Sequence, residues 1–184
     1  AIRKVCTKYD MPLFIDGARL GYALTATGND VTLEDIARIA DVFYIGGTKV
    51  GAMFGEAVVF THGNMPKNFV TLVKQHGALL AKGWLLGVQF DTLFTDNLYC
   101  RIARRANDAA DRIREVLVER GYTLTFDAPT NQIFITLDNA TSERLQRNVR
   151  LGFMEKADDT HTVMRICTSW ATTDEQVEQL IALL

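Results

Sequence analysis

The chain has 184 residues, of which 48% are hydrophobic and 23% are charged, and its formal net charge is −2. This composition is typical of a globular protein with enough apolar residues for a core. The absence of a basic block argues against nucleic acid as a partner, and no apolar run reaches the roughly 20 residues that a membrane-spanning helix needs. The three cysteines are far apart in the sequence, which is typical of a reducing compartment and predicts a cytoplasmic protein.

The first residues predict an amphipathic helix that runs to about Lys8. Its apolar face follows the i, i+3, i+4, i+7 spacing and consists of Ile2, Val5, Cys6 and Tyr9. The sequence starts with Ala1 rather than Met, and no capping residue precedes the helix. We therefore interpret the chain as the later part of a longer protein. A short, frayed N-terminal helix is the alternative.

Two apolar runs then end in small residues beside a charged side chain. Residues 13–15 predict a buried strand that ends at an Asp-Gly-Ala-Arg motif, residues 16–19. Residues 41–45 predict a second strand that ends at Gly-Gly-Thr-Lys, residues 46–49. A helix between them makes this a βαβ-like unit with parallel strands.

Local patterns predict the neighbouring elements of this unit. Thr32 and Asp35 have the spacing of a capping pair and predict the start of the connecting helix. Residues 56–60 form a further apolar run directly after the lysine turn. The connection is too short for a helical crossover, so this run predicts a strand paired antiparallel with a neighbour.

The ends of the two parallel strands predict a ligand site. Ligands of open α/β sheets bind outside the carboxyl ends of the strands, so Asp16, Arg19 and Lys49 are expected at one rim. A lysine amine can form a Schiff base with an aldehyde cofactor, and a carboxylate can keep a pyridine nitrogen protonated. We therefore hypothesise a site for pyridoxal 5′-phosphate (PLP). The alternatives are a solvated loop lysine and an aspartate that only forms a turn.

Other common site types are not indicated. The residue after Lys49 is Val50, whereas a phosphate-binding P-loop needs Ser or Thr there. The dinucleotide motif G-x-G-x-x-G and the hydrolase motif G-x-S-x-G are absent from the sequence. The three histidines lack metal-ligand spacing, so no metal site is predicted.

The later part of the chain predicts a glycine-rich apolar segment, a long helix and an α+β domain. The three glycines between residues 66 and 90 suggest close packing, including against another subunit. Residues 98–120 predict a helix that ends at Gly121 and leads into the second domain. Further strands are predicted at 122–126, 132–137, 153–156 and 163–167, with a weak helix at 141–148 and a last helix capped by Thr172 and Glu175.

Arg165 is a basic residue in an otherwise apolar predicted strand. A buried guanidinium needs an anionic partner, and the carboxylate of an amino-acid substrate is one candidate. An ion pair with an acidic side chain on an edge strand is the alternative.

Four motifs together resemble the threonine aldolase and β-eliminating lyase family of fold-type I PLP enzymes. They are residues 16–19, residues 46–52, the Gly-Ala-Leu-Leu-Ala-Lys-Gly segment at 77–83, and Arg-Ile-Cys-Thr-Ser-Trp at 165–170. The resemblance covers the whole chain and implies an α/β fold. Residues 1–95 are expected to be part of the large PLP-binding domain, whose N-terminal half is missing. Residues 96–184 are expected to be the small C-terminal α+β domain, entered by the long helix.

The resemblance also implies roles for single residues. Lys49 resembles the lysine that forms the Schiff base, and Asp16 resembles the partner of the pyridine nitrogen. Thr48 is expected to bind the cofactor, and Lys82, with Lys74 as a weaker candidate, is expected to reach the phosphate in a neighbouring subunit. The two arginines at positions 19 and 165 resemble those that hold the substrate carboxylate.

By the same resemblance, the protein is expected to be a cytoplasmic lyase of amino-acid metabolism. The implied reaction is the retro-aldol cleavage of L-threonine or L-allo-threonine to glycine and an aldehyde. The alternatives are β-elimination from an amino acid and a non-catalytic oligomerisation module of the same fold. A homodimer or homotetramer is expected, with active sites at the subunit interface. The phosphate loop, the side chain stacked on the ring and the candidate bases belong to the earlier half of the family fold, so no histidine here is assigned as the base.

Overall fold

The computed structural model describes all 184 residues. The chain divides into two compact units, the first made of residues 1–24 and 30–99 and the second of residues 25–29 and 100–184. None of the helices combines the length and the hydropathy that a membrane crossing requires. The expected boundary at residues 95 and 96 of a large and a small domain stays a prediction.

The first unit contains a small sheet with short helices. Its helices are α1 (Ile2–Lys8), α2 (Leu20–Leu24), α3 (Leu33–Ile39), α4 (Phe69–Gln75) and α5 (Trp84–Phe94), and its strands are β1 (Phe14–Ile15), β2 (Val42–Gly46) and β3 (Glu56–Phe60). The strand order is β1-β2-β3. β1 runs parallel to β2 and β3 runs antiparallel to it, as the connection lengths predicted.

Local signals at α3 are confirmed, whereas the expected burial of β1 was wrong. Thr32 and Asp35 form a reciprocal capping box at the start of α3. β1 is the edge of the three-stranded sheet, and Phe14 within it is 58% exposed. The predicted apolar face of α1 is also mostly solvent-accessible, because Cys6 is the only buried residue of this helix.

Two of the three glycines in the glycine-rich segment, Gly77 and Gly87, are not closely packed within this chain. A Cβ atom added at Gly87 would have no neighbour within 4 Å. Large apolar side chains of the segment are exposed, among them Leu79, Leu80, Trp84 and Val88. A contact with another subunit therefore stays a prediction.

The second unit is an α+β structure around a four-stranded antiparallel sheet. Its elements are α6 (Leu98–Glu119, which begins in the first unit), β4 (Thr123–Leu124), β5 (Gln132–Asp138), α7 (Asn139–Gln146), β6 (Gly152–Lys156), β7 (His161–Cys167) and α8 (Asp174–Leu183). The strand order is β4-β5-β7-β6. The core lies between one face of this sheet and the helices, with Ile113, Leu117, Ile135, Met164 and Val177 at its centre.

The ends of two helices test the predicted caps. α6 ends at Glu119, and Gly121 two residues later has a φ of +79°. The amide of Tyr122 donates to the carbonyl of Leu117 at 2.9 Å, which closes the helix as predicted. The predicted cap of α8 was wrong by one residue. Thr173 caps α8 with Gln176, because the Thr172 hydroxyl already accepts a hydrogen bond from the Ser169 amide in the preceding turn.

Candidate active site

The parallel pairing of β1 and β2 brings the two predicted strand ends together. Ile15 pairs with Phe43, so Asp16 follows beside Tyr44. The Gly46 amide donates to the Gly17 carbonyl at 2.9 Å beyond the last strand pair. The two backbones are so close here that only glycine fits at position 17.

Asp16 is held by hydrogen bonds at this rim. Its Oδ1 atom accepts a hydrogen bond from the Tyr44 hydroxyl and another from the Ala18 amide, at 3.0 Å for the amide. The Tyr44 bond is the largest cause that lowers the pKa of Asp16, followed by the Ala18 bond and then the charges of Lys49 and Arg19. The carboxylate is therefore ionised at neutral pH.

Lys49 lies in the turn that follows β2. The amides of Val50 and Ala52 both donate to the Gly47 carbonyl, at 2.9 and 3.0 Å. The Lys49 carbonyl accepts a hydrogen bond from the Tyr22 hydroxyl, which fixes the backbone of the turn. The Lys49 side chain is exposed, and no ion pair or hydrogen bond within the chain involves its amine. The turn therefore holds the backbone and leaves the amine available.

Glu56 and Tyr99 support the same turn from elsewhere in the unit. The Gly47 amide donates to Glu56 Oε2 at 2.8 Å, and the Thr48 hydroxyl donates to Glu56 Oε1 at 3.4 Å. The Tyr99 hydroxyl donates to the Gly46 carbonyl at 2.8 Å. Sequence reasoning missed these supports, because only the folded chain brings them to the turn.

Arg19, directly before α2, has a buried polar atom that the chain leaves unsatisfied. Its Nε atom has no hydrogen-bond partner. Buried donors are nearly always paired in native proteins, so an exception calls for an explanation. An anion from outside the chain would provide the missing acceptor. Arg19 follows Asp16 by three residues, and its charge contributes to the lowered pKa of Asp16.

Arg165 shows the same feature in the second unit. Its Nε atom is buried without a hydrogen-bond partner, and the guanidinium takes part in none of the ion pairs of the chain. β7 lies between β5 and β6, so the alternative of an ion pair on an edge strand is wrong. Arg165 borders a cavity of about 220 Å³ that also includes Cys167, Thr168 and Gln176. The unsatisfied donor again favours an external anion.

The remaining predicted cofactor residue, Lys82, makes no hydrogen bond or ion pair with the residues at this rim. It is exposed and precedes α5 by two residues. Lys74 lies in the last turn of α4. No hydrogen bond or ion pair connects either lysine with Asp16 or Lys49. The structure of this chain therefore brings together Asp16, Arg19, Thr48 and Lys49, and the roles of all six predicted residues stay predictions.

Comparisons with known proteins agree with the motifs. The chain is 28% identical to the low specificity L-threonine aldolase of Pseudomonas aeruginosa over 181 residues, which is 98% of this chain and 51% of the relative. It superposes on a threonine aldolase structure from Leishmania major with a TM-score of 0.94 at 40% identity, covering 99% of this chain and 53% of the other. The chain thus spans about half the length of the relatives it matches.

A more distant likeness concerns the fold alone. Sphingomonas wittichii serine palmitoyltransferase matches with a TM-score of 0.66 at 18% identity, over 98% of this chain and 48% of the other. The expected α/β fold of the fold-type I class is confirmed by these neighbours. Residues 1–140, which include both strand ends and their charged side chains, match the family described as beta-eliminating lyase. By this match over most of its length, the chain belongs to the beta-eliminating lyase family.

Proposed function

We propose that the protein is a PLP-dependent lyase that cleaves β-hydroxy-α-amino acids of the threonine type into glycine and an aldehyde. The observation that carries this proposal is the shared rim of Asp16 and Lys49. One strand end presents an ionised carboxylate and the next presents an amine without a partner in the chain. The relatives named as threonine aldolases support the choice of substrate.

The residues at the rim fit the cofactor. When bound, PLP supplies a conjugated ring that takes up the electron pair of the bond broken at the substrate Cα. Asp16 would hold the protonated ring nitrogen, because its Oδ2 atom receives no hydrogen bond from the chain. Lys49 would hold the aldehyde carbon through its free amine. Thr48 would reach the cofactor by exchanging its 3.4 Å bond to Glu56, and Lys82 would bind the phosphate in a neighbouring subunit.

The two unsatisfied arginines are assigned to the substrate carboxylate. A guanidinium can bind a carboxylate with two parallel hydrogen bonds, and Arg19 and Arg165 each have a buried Nε donor available. An arginine that binds the carboxylate in this way orients the substrate for cleavage. The assignment of each arginine rests on observations within its own unit.

Cleavage also requires proton movements. A base must remove the proton from the substrate hydroxyl as the carbon–oxygen double bond of the aldehyde forms, and Cα must receive a proton to give glycine. His161 is not assigned to this role, because its ring bonds to Thr160 and Asp158 in a surface turn. We assign the base to no histidine of this chain.

β-Elimination is the second candidate reaction. The description of the matched family favours it, and the free amine of Lys49 would be a suitable base for the Cα proton. This reaction breaks a bond from Cβ to a leaving group and gives a keto acid and ammonia after hydrolysis. Both reactions use the same anchors for the cofactor and the carboxylate.

We also propose that the protein is a homodimer or homotetramer with active sites at the subunit interface. The exposed apolar side chains between residues 79 and 88 support this assembly. Light scattering of the intact protein tests this assembly, and a monomer at micromolar concentration would contradict it.

We further propose that residues 1–95 are part of a large α/β domain and that residues 96–184 form a small domain.

Product analysis tests the proposed reaction. The intact protein with PLP is incubated with L-threonine and L-allo-threonine, and separately with serine and cysteine derivatives that carry a leaving group on Cβ. Glycine and acetaldehyde in equal amounts from the first pair are expected. If the serine and cysteine derivatives give keto acid and ammonia, and the two threonine isomers give no glycine, the protein is a β-eliminating lyase rather than an aldolase.

A further inference from the structure

The hydrogen bond between Tyr44 and Asp16 joins the ends of two neighbouring strands. Continuation of the parallel register past Ile15 and Phe43 sets the two residues side by side. The Tyr44 ring lies beside the ring of Phe14, with 6.1 Å between the ring centroids. From this position the Tyr44 hydroxyl donates to the Asp16 carboxylate.

The donors to Asp16 converge on one of its two oxygen atoms. Both the Tyr44 hydroxyl and the Ala18 amide donate to Oδ1. The Ala18 bond is a local turn contact within two residues, as aspartate often makes. The Tyr44 hydroxyl belongs to the neighbouring strand, so it approaches Oδ1 from a different direction than the Ala18 amide does. Together they fix the plane of the carboxylate and leave Oδ2 to a ligand.

The protonation states suit this arrangement. The hydrogen bond to Asp16 raises the pKa of Tyr44 to about 12, so the phenol remains a donor throughout the physiological range. The same bond is the largest cause that lowers the pKa of Asp16. A charged acceptor and a neutral donor therefore persist together over the whole range in which an enzyme works.

We infer that Tyr44 is a positioning residue that acts through Asp16, holding its carboxylate so that Oδ2 meets the protonated ring nitrogen of the cofactor. This inference rests on the proposed function, since it needs a pyridine ring at the rim. Tyr44 itself need not touch the cofactor. Its contribution should therefore disappear when Asp16 can no longer bind a ring N–H as a charged acceptor.

A double-mutant cycle in the intact protein tests this dependence. The dissociation constant of PLP is measured by absorption titration for the wild type, Tyr44→Phe, Asp16→Asn and the double variant. Tyr44→Phe should weaken binding about tenfold, the effect typical of a lost hydrogen bond to a charged group. In the Asp16→Asn background the same change should have less than a twofold effect.

A matched control separates positioning from general stability. The Tyr122 hydroxyl donates to the Leu184 carbonyl at 2.6 Å in the second unit and accepts a hydrogen bond from Arg144 at 2.9 Å. Tyr122→Phe therefore also removes a hydrogen bond that a tyrosine hydroxyl donates, together with one that it accepts. It should leave the dissociation constant of PLP unchanged. Denaturant unfolding of all variants gives the folded fraction by which each titration is normalised.

The outcomes are distinguishable. Equal weakening by Tyr44→Phe in both backgrounds, or no weakening in either, would overturn the positioning role while PLP binding by the wild type upholds the cofactor assignment. A wild-type protein that does not bind PLP would overturn the proposed function and this inference with it.

Discussion

A Cβ atom added to Gly17 would lie 1.7 Å from the carbonyl oxygen of Tyr44. The contact is with backbone of the neighbouring strand, so no side-chain rotation can relieve it. Gly17→Ala should therefore separate the two strand ends and lower the free energy of unfolding by about 2 kcal/mol, as overpacking typically does. Denaturant titration measures the change in stability.

Gly87 provides the matched control for this substitution. It lies inside α5 and has open space where a Cβ atom would be. Gly87→Ala should leave stability unchanged or raise it by about 0.5–1 kcal/mol, because alanine is the better helix residue. Equal effects of the two substitutions would show that the close approach at Gly17 is not a constraint.

Arg165→Met should impair substrate binding without loss of stability. The substitution removes a buried donor that has no partner in the chain, so the free energy of unfolding should stay unchanged or rise by about 1 kcal/mol. The KM for the amino-acid substrate should rise at least about tenfold, because the carboxylate loses charge-assisted hydrogen bonds. Unfolding curves and steady-state kinetics measure the two effects separately.

Arg114→Met tests the same change where the guanidinium is satisfied. Arg114 pairs with Asp111 and donates to the carbonyls of Ala128 and Thr130, at 2.6 and 3.0 Å. Its removal leaves these acceptors unsatisfied and should cost about 2–3 kcal/mol of stability. A comparable loss in Arg165→Met would mean that Arg165 has a structural role instead.

Asp41 should make the stability of the first unit depend on pH. Its Oδ2 atom accepts hydrogen bonds from the Leu13 amide at 2.6 Å and from Arg3 at 2.5 Å. The Leu13 bond is the larger cause and the Arg3 bond the next, and both lower the pKa of Asp41. The folded-state pKa is thus below the unfolded value of about 3.9, so the stabilisation is complete above that pH and is lost as the pH falls through the folded-state pKa.

The Asp41→Asn variant tests the sign of this effect. At pH 7 it should unfold at lower denaturant concentration than the wild type, and the difference should shrink as the pH is lowered below about 4. Unfolding midpoints at pH 7, 5, 4 and 3 provide the comparison. A difference that stays constant across this range would show that the charge of Asp41 does not contribute.

The sequence predicted those parts of the site that local patterns determine. The ends of β1 and β2 follow from apolar runs and glycines, so Asp16 and Lys49 could be placed at one rim. Tyr44 could have been found by the same reasoning, since extending the parallel register beyond Ile15 leads directly from Asp16 to it. Because successive side chains of a strand point to opposite faces of the sheet, the position of Tyr44 in β2 also gives the face on which its side chain lies.

Other features depend on the folded chain. The Tyr99 hydroxyl bonds to Gly46 across 53 positions of sequence, and no local pattern indicates such a contact. The prediction of the α8 cap was wrong for another reason. Two overlapping pairs, Thr172 with Glu175 and Thr173 with Gln176, both have the spacing of a capping box. Only the turn that occupies the Thr172 hydroxyl decides between them. The exposure of Phe14 likewise depends on β1 being an edge strand.

The absorption spectrum of the intact protein with PLP tests the central claim most directly. The wild type should show a near-visible cofactor band that persists through gel filtration and changes when glycine is added, because the amine of Lys49 holds the cofactor at the rim beside Asp16. Lys49→Ala should lose this retained band. Without PLP, its unfolding midpoint should equal that of the wild type, since the Lys49 side chain has no partner in the chain. A wild-type protein that retains no cofactor, or a band unaffected by the loss of Lys49, would contradict the account.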